Sequence, residues 1–220
     1  VETISKTLEE VLNRVSQTPL TDLEGTARVK VKKIPEDELR TALIRAGVSK
    51  RHLNASKTTV DRERWALLEG FKNGKSYFLY GKPGTGKTYI AVALMRELGQ
   101  FSPDNLRFVT MADLLMRIKA TFESNAEESE ASVIREYSTR PCLILDDIGV
   151  EKPTEWTLQT LYTIIDRRYR NMEQTVFTSN LSLKELADKL GERIPSRIAE
   201  MCGPENILHI TGPDRRLERR

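Results

Sequence analysis

The segment GKPGTGKT at 81–88 constrains this chain more than any other stretch of its 220 residues. It satisfies G-x-x-x-x-G-K-[ST] at every fixed position. It also stands in the required context, after the strand-like SYFLY and at the start of a helical pattern over 87–98. Gly81, Gly84 and Gly86 let the backbone curl so that successive amides face phosphate oxygens. The helix that begins near Lys87 adds its positive dipole end. Lys87 is expected to reach the β and γ phosphates, and the Thr88 hydroxyl to ligate magnesium. The loop residues Gly81, Lys82, Pro83, Gly84, Thr85, Gly86, Lys87 and Thr88, with Tyr89, are therefore read as the binding site for ATP or ADP with Mg2+.

CLILDD at 142–147 is the expected partner strand. Four apolar residues carry it through a core, and two carboxylates emerge at its C-terminal end, where ligands of open α/β sheets sit. Asp146 is the candidate magnesium residue, and Asp147 the group that orients or activates water. A third run, TVFTSN, ends in Thr178, Ser179 and Asn180, where a polar side chain can meet the γ-phosphate or the water. Alone, either strand end would be an ordinary polar turn.

Around these motifs, strands alternate with helices from residue 61 onward: SYFLY, LRFVT, CLILDD, TVFTSN and NILHI, separated by helical patterns. This predicts a parallel sheet covered on both faces. Upstream, 2–17 reads as an amphipathic helix, 18–34 as a linker or short strand, and 35–47 as a second helix ending at Gly47. The expected division is an N-terminal helical segment over 1–47 and an ATPase domain over 48–220. Net charge is +3, from 35 basic and 32 acidic residues, which does not by itself point to nucleic acid. Cys142, Cys202, His52 and His209 are scattered, so no zinc site is expected. No apolar run approaches membrane-spanning length, and a reducing, cytoplasmic setting is the expectation.

Together, FLYGKPGTGKTYIAVAL, LILDDIG, the helix ending IIDRRYR, TSN and LGERIPSRI resemble the DnaC/IstB-like group of AAA+ ATPases, over about 53–216. Within it, bacterial or phage replicative-helicase loaders of the DnaC/DnaI type are most similar. VTMADLLMRIKATFE resembles their extra helical element. The resemblance implies an α/β AAA+ three-layer sandwich with a mainly parallel five-stranded sheet, and ATP hydrolysis. It also implies self-assembly driven by ATP, with a hexameric replicative DNA helicase and single-stranded DNA as partners. It makes Asn180 the first sensor and Arg197 the finger reaching a neighbour's ATP, with Arg193 close enough to be confused with it. Arg216 resembles the second sensor, with Arg215 the adjacent alternative. Most of the wider class carry Glu where Asp147 stands; Asp is one methylene shorter, which sets its carboxylate farther from the water and is the reason slow turnover is expected.

For DNA, Arg117, Lys119 and Phe122 are the candidates: cations for phosphate and an aromatic for a base. The plain alternative puts Phe122 in a core stripe with Leu114, Leu115 and Ile118. Arg167, Arg168 and Arg170 close their helix, where cations are stabilising anyway, or else contact DNA or a neighbour. The helix at 2–17 either grips the helicase or packs on its own domain. Three rivals remain: a transposition helper of the IstB kind, a P-loop kinase, and an adaptor that binds ATP without turnover.

Overall fold

In strands, successive side chains face opposite sides, so strands apolar at every position require a cover on each face. The computed structural model describes residues 33–68, 71, 74–123, 125–149 and 154–215. Its strands β1 (Tyr77–Tyr80), β2 (Leu106–Thr110), β3 (Cys142–Ile148), β4 (Gln174–Ser179) and β5 (Ile207–His209) form one sheet in the order β2-β3-β4-β1-β5. Every pairing is parallel. Tyr77, Leu79, Cys142, Ile144 and Val176 enter one core, and Phe78, Leu143, Leu145 and Phe177 the other.

The first core is closed by α1 (Glu36–Arg45), α2 (Arg62–Ala66) and α3 (Lys87–Gly99), through Leu39 and Leu43, Trp65, and Ile90 to Met95. The second is closed by α4 (Met111–Ala120), α5 (Glu130–Thr139), α6 (Glu155–Arg170), α7 (Leu183–Leu190) and α8 (Arg193–Cys202). Leu114, Val133, Leu161, Leu186 and Ile198 are among the side chains they bury. Their starts are chemically marked. Thr110, Ser129 and Thr154 each accept from the backbone N–H three residues on, and Ser182 with Glu185 makes a reciprocal capping box. The result is the three-layer sandwich expected, and its sheet is wholly parallel.

Residues 33–47 pack differently from the division drawn at 47/48. Leu39 and Leu43 share the core of Leu94 and Phe108. The Ile34 N–H donates to Gln100 O (3.1 Å), and the Phe108 N–H to Ala46 O (2.7 Å). Among the described residues, 33–47 belong to a compact unit that begins at Lys33. Gly47 closes a helix, but the chain beyond it returns onto the same core. The helix expected at 2–17 and most of the linker at 18–34 lie outside the described residues, as do Arg216 and the end of the chain.

Arg168 corrects another expectation. It is 0% exposed, so it is neither a solvated helix-end cation nor a contact for DNA or a neighbour. Its guanidinium donates to Tyr137 O and Arg140 O (both 2.8 Å), Gln174 O (2.7 Å) and Thr175 Oγ1 (2.8 Å). It ties the end of α5, the end of α6 and the start of β4 together.

Candidate nucleotide site

Because β4 lies between β3 and β1, the C-terminal ends of all three open at one edge of the sheet. The chain leaving β1 becomes the glycine loop and then α3. Gly81, Gly84 and Gly86 all take positive φ, at 143°, 81° and 97°. At Gly84 the φ of 81° disfavours any other residue, and a Cβ there would also displace the Asp214 carboxylate. Lys87, only 5% exposed, folds back over the loop. Its ammonium donates to Gly81 O (2.8 Å), Lys82 O (3.0 Å) and Asn180 Oδ1 (2.8 Å). The Thr85 hydroxyl, also buried, closes the loop onto Lys82 O (2.9 Å).

The strand that brings the carboxylates is bulged. Leu145 pairs with Phe177 and Ile148 with Ser179, so Asp146 and Asp147 together stand opposite Thr178. Asp147 has φ of 58°, in the left-handed region. Thr178 organises both. Its hydroxyl accepts from the Asp147 N–H (2.9 Å) and donates to Asp146 Oδ1 (2.6 Å). Thr88 donates to the same carboxylate (2.9 Å). Asp146 is 4% exposed. Burial pushes its carboxyl up to about 6; the Thr178 hydrogen bond opposes this, Asp147 adds to it, and Thr88 and Lys87 oppose it.

These elements enclose a cavity of about 670 Å3. Of the expected residues, Pro83, Gly84, Gly86, Lys87, Thr88, Tyr89, Asp146, Asp147 and Asn180 line it. Gly81, Lys82 and Thr85 are not among the lining residues; the Gly81 and Lys82 carbonyls accept from Lys87, and Thr85 donates to Lys82 O. Arg215 lines the cavity too, the alternative named beside Arg216. Arg51, His52 and Thr59, from the stretch between Gly47 and residue 61, form a further wall, and Tyr89 donates to Thr59 Oγ1 (2.8 Å). No motif marked that wall. It is found only by seeing 48–60 fold back beside α3.

Arg193 and Arg197 lie elsewhere, on α8. Arg193 sits over the Tyr162 ring, and Arg197 over Tyr169, while pairing with Glu200 (2.9 Å) and Asp166 (3.4 Å). Of the DNA candidates, Phe122 is outside the core: it is 59% exposed and meets Trp156 edge-on, and Lys119 lies over the same indole. Arg117 is held by Glu128, Glu136 and Tyr137.

Magnesium takes oxygen donors and keeps waters and phosphate oxygens as further ligands. A hydroxyl and a carboxylate side by side, Thr88 and Asp146, supply a protein share of that kind, so the residues fit the ion. The metal-free site carries a testable cost. With its carboxyl raised from 3.8 to about 6, the native state binds more protons than the unfolded chain between those pH values. Stability from this group is therefore greatest below about pH 4 and falls as pH rises to about 6, by on the order of 3 kcal/mol. Without magnesium, Asp146→Asn is expected to melt above the parent at pH 8, with the gap closing toward pH 4. A gap constant with pH would place its origin elsewhere.

A phosphate loop at the end of a central strand, a bulged neighbour bearing two carboxylates and a polar-ended strand between them define a P-loop nucleotide-binding domain of the AAA+ class. The chain matches the family model described as IstB-like ATP binding protein over residues 59–200, and it belongs to that family. It is similar to the replicative helicase loader DnaC of Escherichia coli K12, 28% identical over 165 residues, covering 70% of this chain and 66% of that protein. The replicative helicase loader DnaI of Bacillus subtilis is 30% identical over 148 residues, covering 64% of this chain and 46% of that one. The chain thus spans less than two thirds of the length of either relative. A crystal structure of the DnaC helicase loader matches with a TM-score of 0.63 and 29% identity, covering 74% of this chain and 100% of that one.

Proposed function

We propose that this protein is an ATPase that assembles with ATP and helps place a replicative DNA helicase on single-stranded DNA. The observation that carries the reading is the convergence of Lys87, Thr88, Asp146, Asp147 and Asn180 on one cavity, in a chain similar to proteins named as replicative helicase loaders. Lys87 stabilises charge on the terminal phosphates, and Asn180, already hydrogen-bonded to it, senses the γ-phosphate. Magnesium, held by Thr88 and Asp146, would neutralise phosphate charge. Asp147, exposed to the cavity, orients the attacking water. No covalent intermediate is involved.

Arg197 acts in a neighbour's site. Its place on α8, outside its own chain's cavity, fits a group presented across an interface. On the far side of the sheet, Lys119 and Phe122, with Trp156, offer a cation and two aromatic faces to a single strand. Arg117 joins them only by exchanging Glu128 for phosphate. The helicase contact is proposed for the N-terminal segment over 1–47. The description of the matching family favours a second reading, a transposition helper of the IstB kind acting on duplex DNA.

Co-elution of the protein with the replicative helicase of its source, with and without ATP and magnesium, tests the first reading. A complex that ATP strengthens is the expected result. No complex, together with a preference for duplex over single strands, would replace it with the second.

A further inference from the structure

Beyond β5 the chain runs back across the phosphate loop as TGPDR, residues 211–215. The Ile210 N–H donates to Tyr80 O (2.7 Å), which steers the segment to the strand that feeds the loop. The Arg215 N–H then donates to Gly84 O (3.1 Å), and the Asp214 carboxylate packs against the Gly84 backbone. This strap touches the loop at its centre.

Two residues of the segment leading into α2 and of α2 itself bind strap and loop together. The Arg64 guanidinium donates from one nitrogen to Thr85 O in the loop (3.2 Å) and from the other to Thr211 O in the strap. Its Nε lies 3.4 Å from Asp61 Oδ2. The same carboxylate oxygen receives Arg215 Nη2 at 2.5 Å. Asp61 therefore carries two guanidiniums, one structural and one lining the cavity.

We propose that Arg64 and Asp61 form a latch on the nucleotide site: Arg64 fixes the strap against the phosphate loop, and Asp61 holds Arg215 as counter-ion until phosphates take it over. The inference rests on the nucleotide reading of the cavity and names two positioning residues for it. The direction of exchange follows from charge. Asp61 and Arg215 are half-exposed, and such pairs contribute little. A phosphate carries more charge than a carboxylate and suits the planar fork of arginine. ATP, with the extra phosphoryl group, draws Arg215 away more strongly than ADP does. The strap then keeps its Arg64 and Gly84 contacts but loses its tie to Asp61, so its position reports which nucleotide is bound.

The test is titration of the full chain, with magnesium, by fluorescently labelled ATP and ADP, on the parent, Asp61→Asn, Arg64→Met and Arg64→Lys. Asp61→Asn frees Arg215 and is expected to tighten ATP by about fivefold, with ADP moving less. Arg64→Met is expected to weaken ATP by about tenfold and to shrink the preference for ATP over ADP. Arg64→Lys keeps the charge but replaces the fork with a point donor, so it should fall between. Hydrogen exchange over 211–215 should quicken in Arg64→Met whether or not nucleotide is present. Asp61→Asn that leaves ATP unchanged or weakens it, or Arg64→Met that moves ATP and ADP by one factor, overturns the latch. Lys87→Ala serves as the control for the cavity itself: if it binds ATP as the parent does, the nucleotide reading fails and the latch with it.

Discussion

Replacing Lys87 with alanine is expected to abolish measurable ATP turnover and to remove most ATP binding. Lys87 is the buried cation of the loop, and its ammonium joins the loop carbonyls of Gly81 and Lys82 to Asn180 on β4. Truncation removes the link to Asn180 and, on the proposed function, the positive charge that would face the terminal phosphates. Loss of one preorganised donor to a developing charge costs about 10²–10³ in rate. Because binding uses the same charge, affinity and turnover should fall together. Steady-state phosphate release and equilibrium nucleotide binding, measured beside the melting temperature, check this. A variant that melts with the parent yet still hydrolyses ATP within tenfold would remove Lys87 from the mechanism.

The second large effect lies at the opposite end of the sheet. Arg168→Met should destabilise the domain by about 3–5 kcal/mol, because it strips a buried donor from several acceptors at once. Tyr137 O, Arg140 O, Gln174 O and Thr175 Oγ1 all receive its guanidinium. Burial lowers its pKa to about 10, so it stays charged at neutral pH. Arg168→Lys keeps the charge but lacks the planar fork, and should recover only part of the loss. Urea unfolding at constant m-value measures both. A loss under about 1 kcal/mol for the methionine variant would mean that water reaches these carbonyls, against the burial seen here.

These two residues mark how far the sequence could be read. Lys87 was legible because phosphate binding demands a fixed spacing within one loop. The strands were legible because their apolar runs are bounded by turns, and LRFVT matches β2 to the residue. Arg168 was not legible as a buried group. Helical spacing did place Arg168 on the buried stripe of α6, three and four residues beyond Ile165 and Ile164, but its charge argued for solvent, and its backbone partners could not be read from the sequence. Phe122 shows the same limit on α4. It continues the spacing of Leu114 and Ile118, yet the helix ends at Ala120 and the stripe leaves the core. Arg64 and Asp61 fell in a segment with no motif, and their partners lie 21 to 154 residues away. Long-range pairs of that kind leave no local pattern.

The bulge in β3 bears on why an aspartate stands where the wider class most often carries a glutamate. At φ of 58° the backbone of Asp147 occupies a conformation that penalises most side chains and that Asp and Asn tolerate several-fold better. The same kink that frees this carboxylate from the ladder and turns it toward the cavity also narrows the choice of residue that can stand there. Side-chain reach and main-chain geometry are therefore exchanged one for the other. A longer acid would recover the missing methylene only by straining the turn that aims it, so substitution at this position and the shape of the strand must change together.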